Sequence, residues 1–109
     1  MPAPPLSFDI ERHPDSTALV VSGEIDLGTA RSFEEAALAL LNERPRALTL
    51  DLSGVPFCDS SGIGVLVRIY NKATVIGCRV TLRRPTPTVR GILEMTALTR
   101  IFRIDDNPS

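Results

Sequence analysis

The sequence predicts a single α/β domain built on a mixed sheet, and three observations point there. Leu6, Phe8 and Ile10 alternate with Ser7, Asp9 and Glu11, the period of a half-buried strand. Apolar stretches at 17–23, 47–52, 78–82 and 101–104 read as further strands. The three segments that separate these stretches carry apolar residues at helical spacing. The resulting order is β-β-α-β-α-β-α-β.

The first two strands are joined by His13-Pro14-Asp15-Ser16, which has turn chemistry, so they form an antiparallel hairpin. The second strand is continued by Ser22-Gly23-Glu24-Ile25-Asp26 and ends at Asp26. Gly28-Thr29 opens the first helix, with Thr29 as its N-cap. Ala30, Phe33, Ala37, Leu40 and Leu41 share its apolar face, and Pro45 stops it. The strand 47–52 follows, and a strand-helix-strand connection demands a right-handed crossover and parallel pairing. Ile63, Leu66, Val67 and Tyr70 form the face of a second helix that ends by Gly77. Val80 and Leu82 point inward from the next strand. Thr86-Pro87 reads as an N-cap with proline at the first helical position, and Val89, Ile92, Leu93 and Thr96 make the third helical stripe. Residues 1–5 and 105–109 read as tails of one domain covering 1–109.

Composition narrows the function classes. The chain has 109 residues, 43% hydrophobic and 23% charged, with a formal net charge of −1, so no basic field invites nucleic acid or an anionic membrane surface. No apolar run approaches the roughly 20 residues needed to span a bilayer. Met1-Pro2-Ala3-Pro4-Pro5 lacks the regions of a signal peptide. Cys58 and Cys78 are too few for a disulfide scaffold and lack metal spacing, and they read as packing residues in a reduced cytoplasm. His13, the single histidine, falls in the hairpin turn and offers no base for a serine nucleophile. Neither Gly-x-Ser-x-Gly nor a nucleotide-binding glycine motif occurs. The expectation is a protein without catalytic residues, metal or cofactor.

The informative stretch is Phe57-Cys58-Asp59-Ser60-Ser61-Gly62-Ile63-Gly64-Val65-Leu66. It carries two adjacent serines into the first turn of a helix, where unpaired N–H groups and partial positive charge favour an anion. In open α/β sheets the loops outside the carboxyl ends of the strands collect ligands, and this loop leaves the strand 47–52 at that end. Ser60 therefore reads as the substrate of another enzyme. Asp59 or Ser60 also suits helix capping, and Ser61 is either a second acceptor or a capping hydroxyl. Gly62 and Gly64 would let a partner approach the serine closely. Asp26, at the end of the neighbouring strand, is either a cap for the first helix or part of an acidic wall to which Asp51 and Asp59 add. Arg83, Arg84 and Arg90 read as solvated charges.

Gly23-Glu24-Ile25-Asp26, Leu50-Asp51-Leu52-Ser53-Gly54-Val55 and the Asp59-Ser60-Ser61-Gly62-Ile63-Gly64 core resemble the bacterial anti-sigma factor antagonists, small proteins built on the STAS domain. The similarity runs from about Phe8 to Phe102. It implies a single STAS domain that regulates transcription, in stress responses among others, by partner switching in the bacterial cytoplasm. The unmodified antagonist binds an anti-sigma factor that is also a serine/threonine kinase of the histidine-kinase-like ATPase fold, which frees a sigma factor. Phosphorylation then releases the kinase, and a PP2C-type phosphatase reverses the modification. The modified residue of the family falls on Ser60, and its strand-end aspartate falls on Asp26. Asp59, Ser61, Gly62 and Gly64 complete the expected partner-binding set. The alternative implied by the domain is an unphosphorylated binding or scaffold module of a transporter or stress-sensing complex. Many members continue past the strand matching 101–104 into another helix, whereas five residues remain here. Either that helix is dispensable or the sequence is cut before it, and the expectation is that a surface otherwise covered is then exposed, which leaves self-association open.

Overall fold

The structure is a computed structural model in which residues 5–107 are described; the tail expected at 1–5 and the end of that at 105–109 fall outside them, apart from Pro5 and residues 105–107. Strands β1 (Ser7–Arg12) and β2 (Thr17–Ser22) form the predicted hairpin, with Ser7 opposite Ser22 and Arg12 opposite Thr17. The turn closes where His13 N–H donates to the Ser16 carbonyl at 2.8 Å. Helix α1 (Ala30–Leu41) leads to β3 (Ala47–Gly54), α2 (Ser60–Ile76) to β4 (Arg79–Arg83), and α3 (Pro87–Met95) with a 3₁₀ turn (Leu98–Arg100) to β5 (Arg103–Asp105). The sheet order is β1-β2-β3-β4-β5, antiparallel for the first pair and parallel for the rest. This is the expected α/β mixed sheet in the expected element order.

Because β2 to β5 add in sequence order through right-handed crossovers, the three helices pack on one sheet face. Leu19, Val21, Leu48, Leu50, Leu52 and Leu82 point into that face and meet Phe33, Leu41, Leu66, Ile69 and Leu93 from the helices, all essentially buried. Each such side chain contributes about 1.5–3 kcal/mol of burial. Alternate residues, among them Asp9, Glu11, Thr49, Asp51 and Arg83, lie on the other face, which no helix covers among the described residues.

Local signals explain most boundaries. Gly77, at φ +75°, ends α2 in the left-handed conformation that glycine adopts without strain, and Cys78 N–H returns to the Ala73 carbonyl at 2.8 Å. Thr86 caps α3 by accepting from Val89 N–H while its hydroxyl donates to the Val55 carbonyl at 2.9 Å, and Pro87 is the first helical residue. Tyr70 of α2 meets Phe102 edge-on at 5.5 Å between centroids.

Several details differ from the sequence expectation. Strand β2 ends at Ser22, where Gly23 takes φ +116°, and only Ile25 rejoins the sheet through a parallel bridge to Cys58. The buried stripe of α2 is Gly62, Val65, Leu66, Ile69 and Ala73, leaving Ile63, Val67 and Tyr70 half-buried. The cause is the seating of Gly62 on Cys58 and Ile25, which turns the helix by about one position. The last strand starts at Arg103 because the 3₁₀ turn uses the residues before it, and Phe102 N–H still donates to the Leu98 carbonyl. Asp105 belongs to β5, opposite Arg83, and not to a tail. No helix among the described residues is long and apolar enough to cross a membrane.

Candidate functional site

Two loops meet at the carboxyl end of the sheet. Ile25 N–H donates to the Phe57 carbonyl and Asp59 N–H to the Ile25 carbonyl, each at 3.0 Å. These bonds set the loop after β2, carrying Asp26, beside the loop after β3, carrying Asp59 and the two serines. Asp59 caps α2: its Oδ1 accepts from Ser61 N–H at 2.8 Å and Gly62 N–H at 3.3 Å. Ser60, the first helical residue, is exposed, and Ser61 is half-buried. Of the two candidate caps, Asp59 makes the side-chain bonds, so the Ser60 hydroxyl is not engaged in capping.

Asp26 is half-buried and closes the turn that leads into α1, its backbone carbonyl accepting from Ala30 N–H at 2.8 Å. Its Oδ1 accepts from Gly28 N–H at 2.9 Å and Thr29 N–H at 3.1 Å. Thr29 makes no side-chain cap; its Oγ1 accepts from Asp26 N–H at 2.9 Å and donates to the Glu24 carbonyl at 2.8 Å. Thr29 thus holds the expected N-cap position, but its hydroxyl turns back into the loop, and the Asp26 carboxylate braces the two N–H groups that precede the helix.

Between α1 and α2 runs an open groove of about 510 Å³ lined by Leu27, Ala30, Arg31, Glu34, Ser60, Ser61, Gly64 and Arg68. Leu27 is 83% exposed at its mouth and Phe57 is 43% exposed in the adjoining loop, so apolar surface flanks the serine. Arg68 bridges the helices by a two-bonded pair to Glu34, with Nε to Oε2 at 2.8 Å and Nη2 to Oε1 at 2.9 Å. A hollow of similar size, about 550 Å³, opens at the far end of the sheet around Tyr70, Cys78, Arg79 and Arg103. It contains no serine or carboxylate, and the groove beside Ser60 is the candidate site.

Three sequence expectations about this region are corrected. Asp51 does not join an acidic rim: it is fully buried on the uncovered sheet face, where Arg83 Nε at 2.9 Å, Arg84 Nη2 at 2.5 Å and the Ser53 hydroxyl at 2.7 Å all reach its carboxylate. Arg83 and Arg84 are therefore partners of a buried acid, not solvated charges. Burial pushes the Asp51 carboxyl up, but the hydrogen bonds from Arg84, Ser53 and Arg83 outweigh it and hold the carboxyl at about 2. Gly62 faces inward. A Cβ there would overlap Cys58 Sγ and stand 2.6 Å from Ile25 Cγ2, so the missing side chain lets α2 seat on its loop. Gly64 does line the groove, where a Cβ would make only an ordinary 3.4 Å contact with Arg68.

These contacts separate the two glycines by experiment. Gly62→Ala is expected to cost about 1–3 kcal/mol through overpacking, seen as a lowered thermal midpoint. Gly64→Ala is expected to be neutral or to stabilise by up to about 1 kcal/mol, because alanine is the better helix former. Equal midpoints for the two variants would refute the inward role of Gly62.

Cys58 lies buried beneath the site, and burial followed by the neighbouring Asp59 charge pushes its thiol up to about 11, which makes it a packing group and not a reactive thiolate. Among the described residues no cluster of His, Cys, Asp and Glu is arranged to hold a metal ion. Sequence reasoning missed Leu27, Arg31, Glu34 and Arg68. Only the exposed apolar Leu27, placed between Asp26 and Gly28, left a readable signal.

Residues 7–109 match the STAS domain family, and the chain belongs to it. A crystal structure of an anti-sigma factor antagonist from Mycobacterium paratuberculosis superposes with a TM-score of 0.81 at 33% identity, covering 94% of this chain and 87% of that one. The anti-sigma-B factor antagonist of Listeria monocytogenes is 30% identical over 100 residues, 91% of this chain and 88% of that protein. The anti-sigma-F factor antagonist RsfB of Mycobacterium tuberculosis is 37% identical over 67 residues, which span 62% of this chain and 55% of that relative's length.

Proposed function

We propose that this protein is an anti-sigma factor antagonist that works by partner switching in the cytoplasm, with Ser60 as its switch. Unmodified, it binds an anti-sigma factor serine/threonine kinase of the histidine-kinase-like ATPase fold. The kinase transfers the γ-phosphoryl group of ATP to Ser60 Oγ, the hydroxyl proton passes to the kinase's base, ADP leaves and the complex separates. A PP2C-type phosphatase hydrolyses the phosphoserine. Asp26, Asp59, Ser61 and Gly64 surround the contact, and Gly62 shapes it from within. The protein is a substrate and ligand in this scheme, not an enzyme.

The observation that carries the reading is an exposed serine hydroxyl at the start of α2, left uncommitted by the Asp59 cap and opening on a groove flanked by Leu27 and Phe57. The similarity to proteins named anti-sigma factor antagonists supports it. Phosphosite mapping of the tagged protein from its native cells, with identification of co-purified proteins, tests it. Phosphate on Ser60 together with an ATPase-fold kinase bound to the unmodified chain is the expected result. Absence of phosphate through growth and stress, with a transporter or scaffold co-purifying, would overturn it.

A further inference from the structure

Arg68 lies eight residues, about 12 Å of helix axis, beyond Ser60. Helical side chains lean toward the N-terminus of their helix, and Arg68 does so along the groove. Its Nη1 stands 3.4 Å from the point that a Cβ on Gly64 would occupy. The guanidinium therefore sits about half way to Ser60, and Gly64 puts no side chain in the way. At present the fork is held by Glu34 of α1, whose carboxyl it lowers below the usual range by hydrogen bonding. The pair is open to solvent, with side-chain exposures of 57% for Arg68 and 23% for Glu34, so it can exchange partners.

We propose that a phosphate on Ser60 takes the Arg68 guanidinium from Glu34, so that modification rewrites the ion pairing of the α1–α2 groove. The proposal rests on the modification of Ser60 proposed above. A phosphoserine carries about −1.5 to −2 charge and three acceptor oxygens, against the single charge of Glu34, and it offers the guanidinium fork the same paired geometry. The phosphoryl group and one charge-assisted hydrogen bond of about 2.8 Å span much of the helical turn that remains, and rotation of the flexible arginine stem covers the rest. Two consequences follow: the groove floor is filled by the phosphate–guanidinium pair, and Glu34 is left as an uncompensated carboxylate on the α1 wall. The other groove arginine, Arg31, lies on α1 and pairs along its own helix with Glu35 at 3.2 Å, and the test below distinguishes it from Arg68.

The test uses the full chain with phosphoserine installed at position 60 by genetic code expansion, and follows the phosphate by ³¹P NMR titration. Asp59 and Asp26 push the second phosphate pKa up, Arg68 and Arg31 push it down, and Glu34 opposes them, so the comparison is made between variants. Arg68→Gln is expected to raise that pKa by roughly half a unit or more. Arg68→Lys should restore part of the difference, and Glu34→Gln, which frees the guanidinium, should lower the pKa below that of the parent. An unchanged pKa in Arg68→Gln, or a rise found in Arg31→Gln instead, would overturn the proposal. Because the phosphate is installed directly, this result does not depend on whether a kinase modifies Ser60 in cells, which the phosphosite mapping decides separately.

Discussion

Ser60→Asp is expected to weaken binding of the cognate anti-sigma factor kinase roughly 100-fold or more, about 2.7 kcal/mol, while Ser60→Ala binds like the parent and is not released by ATP. The argument starts from the carboxylates already in place. Asp59 is fixed at the helix start by two backbone N–H groups, and Asp26 is fixed on the adjoining loop by two more. A third negative group at Ser60 would join two charges that cannot move away. The partial positive charge at the helix start offsets about 0.3–1 kcal/mol at an exposed position, and Asp59 already uses part of it. A partner surface fitted to a neutral hydroxyl between Leu27 and Phe57 would then enclose a charge it cannot solvate, and misplaced interfacial charge costs several kcal/mol. Ser60 is exposed, so neither substitution should disturb the fold, and matching circular dichroism spectra and thermal midpoints would show that. Calorimetric titration of both variants with the purified kinase gives the answer. Equal affinities would remove Ser60 from the centre of the interface.

What could be read from the sequence follows the range of the interactions involved. The hairpin, the α1 stripe from Ala30 to Leu41 and the Thr86-Pro87 start of α3 were legible because alternation, helical spacing and capping act within a few residues. The corner holding Asp26, Asp59 and Ser60 was legible too, since parallel strands deliver their following loops to one end of a sheet. Gly62 was misjudged because a glycine's neighbours are spatial: Cys58 is four positions away, but Ile25, which closes the other side, lies 37 positions earlier in the chain. The Glu34–Arg68 bridge spans 34 positions, and no local pattern marks either member. Asp51 shows the same limit most clearly. It sits among alternating leucines on β3, where its position alone says that it leaves the leucine face, but not that two arginines await it on the other.

That buried acid gives the largest expected effect on stability. Asp51→Asn should lower the thermal midpoint by roughly 12–24 °C, corresponding to about 3 kcal/mol at roughly 4–8 °C per kcal/mol. Asp51 is fully buried, and removing its charge leaves Arg83 and Arg84 facing a neutral amide. Both arginines keep some solvent contact, with side-chain exposures of 22% and 36%, which places the cost at the low end for a broken buried pair. Arg90, paired on the surface with Asp106 at 2.7 Å, provides the contrast: Arg90→Ala should change stability by less than about 1 kcal/mol through loss of that pair. The pH dependence distinguishes charge from shape. The Asp51 carboxyl ionises at about 2 in the folded chain against 3.8 ordinarily, so its contribution is fully present above the ordinary value and is lost as pH falls through about 2. After allowance for screening at the part-exposed arginines, the ionisation is worth on the order of 1–2 kcal/mol. Thermal melts of parent and Asp51→Asn should therefore differ most at neutral pH, and the gap should narrow by on the order of 1–2 kcal/mol between about pH 4 and pH 2. A gap that stays constant across that range would show that Asp51 stabilises the sheet through its shape and hydrogen bonds, and that its charge contributes nothing.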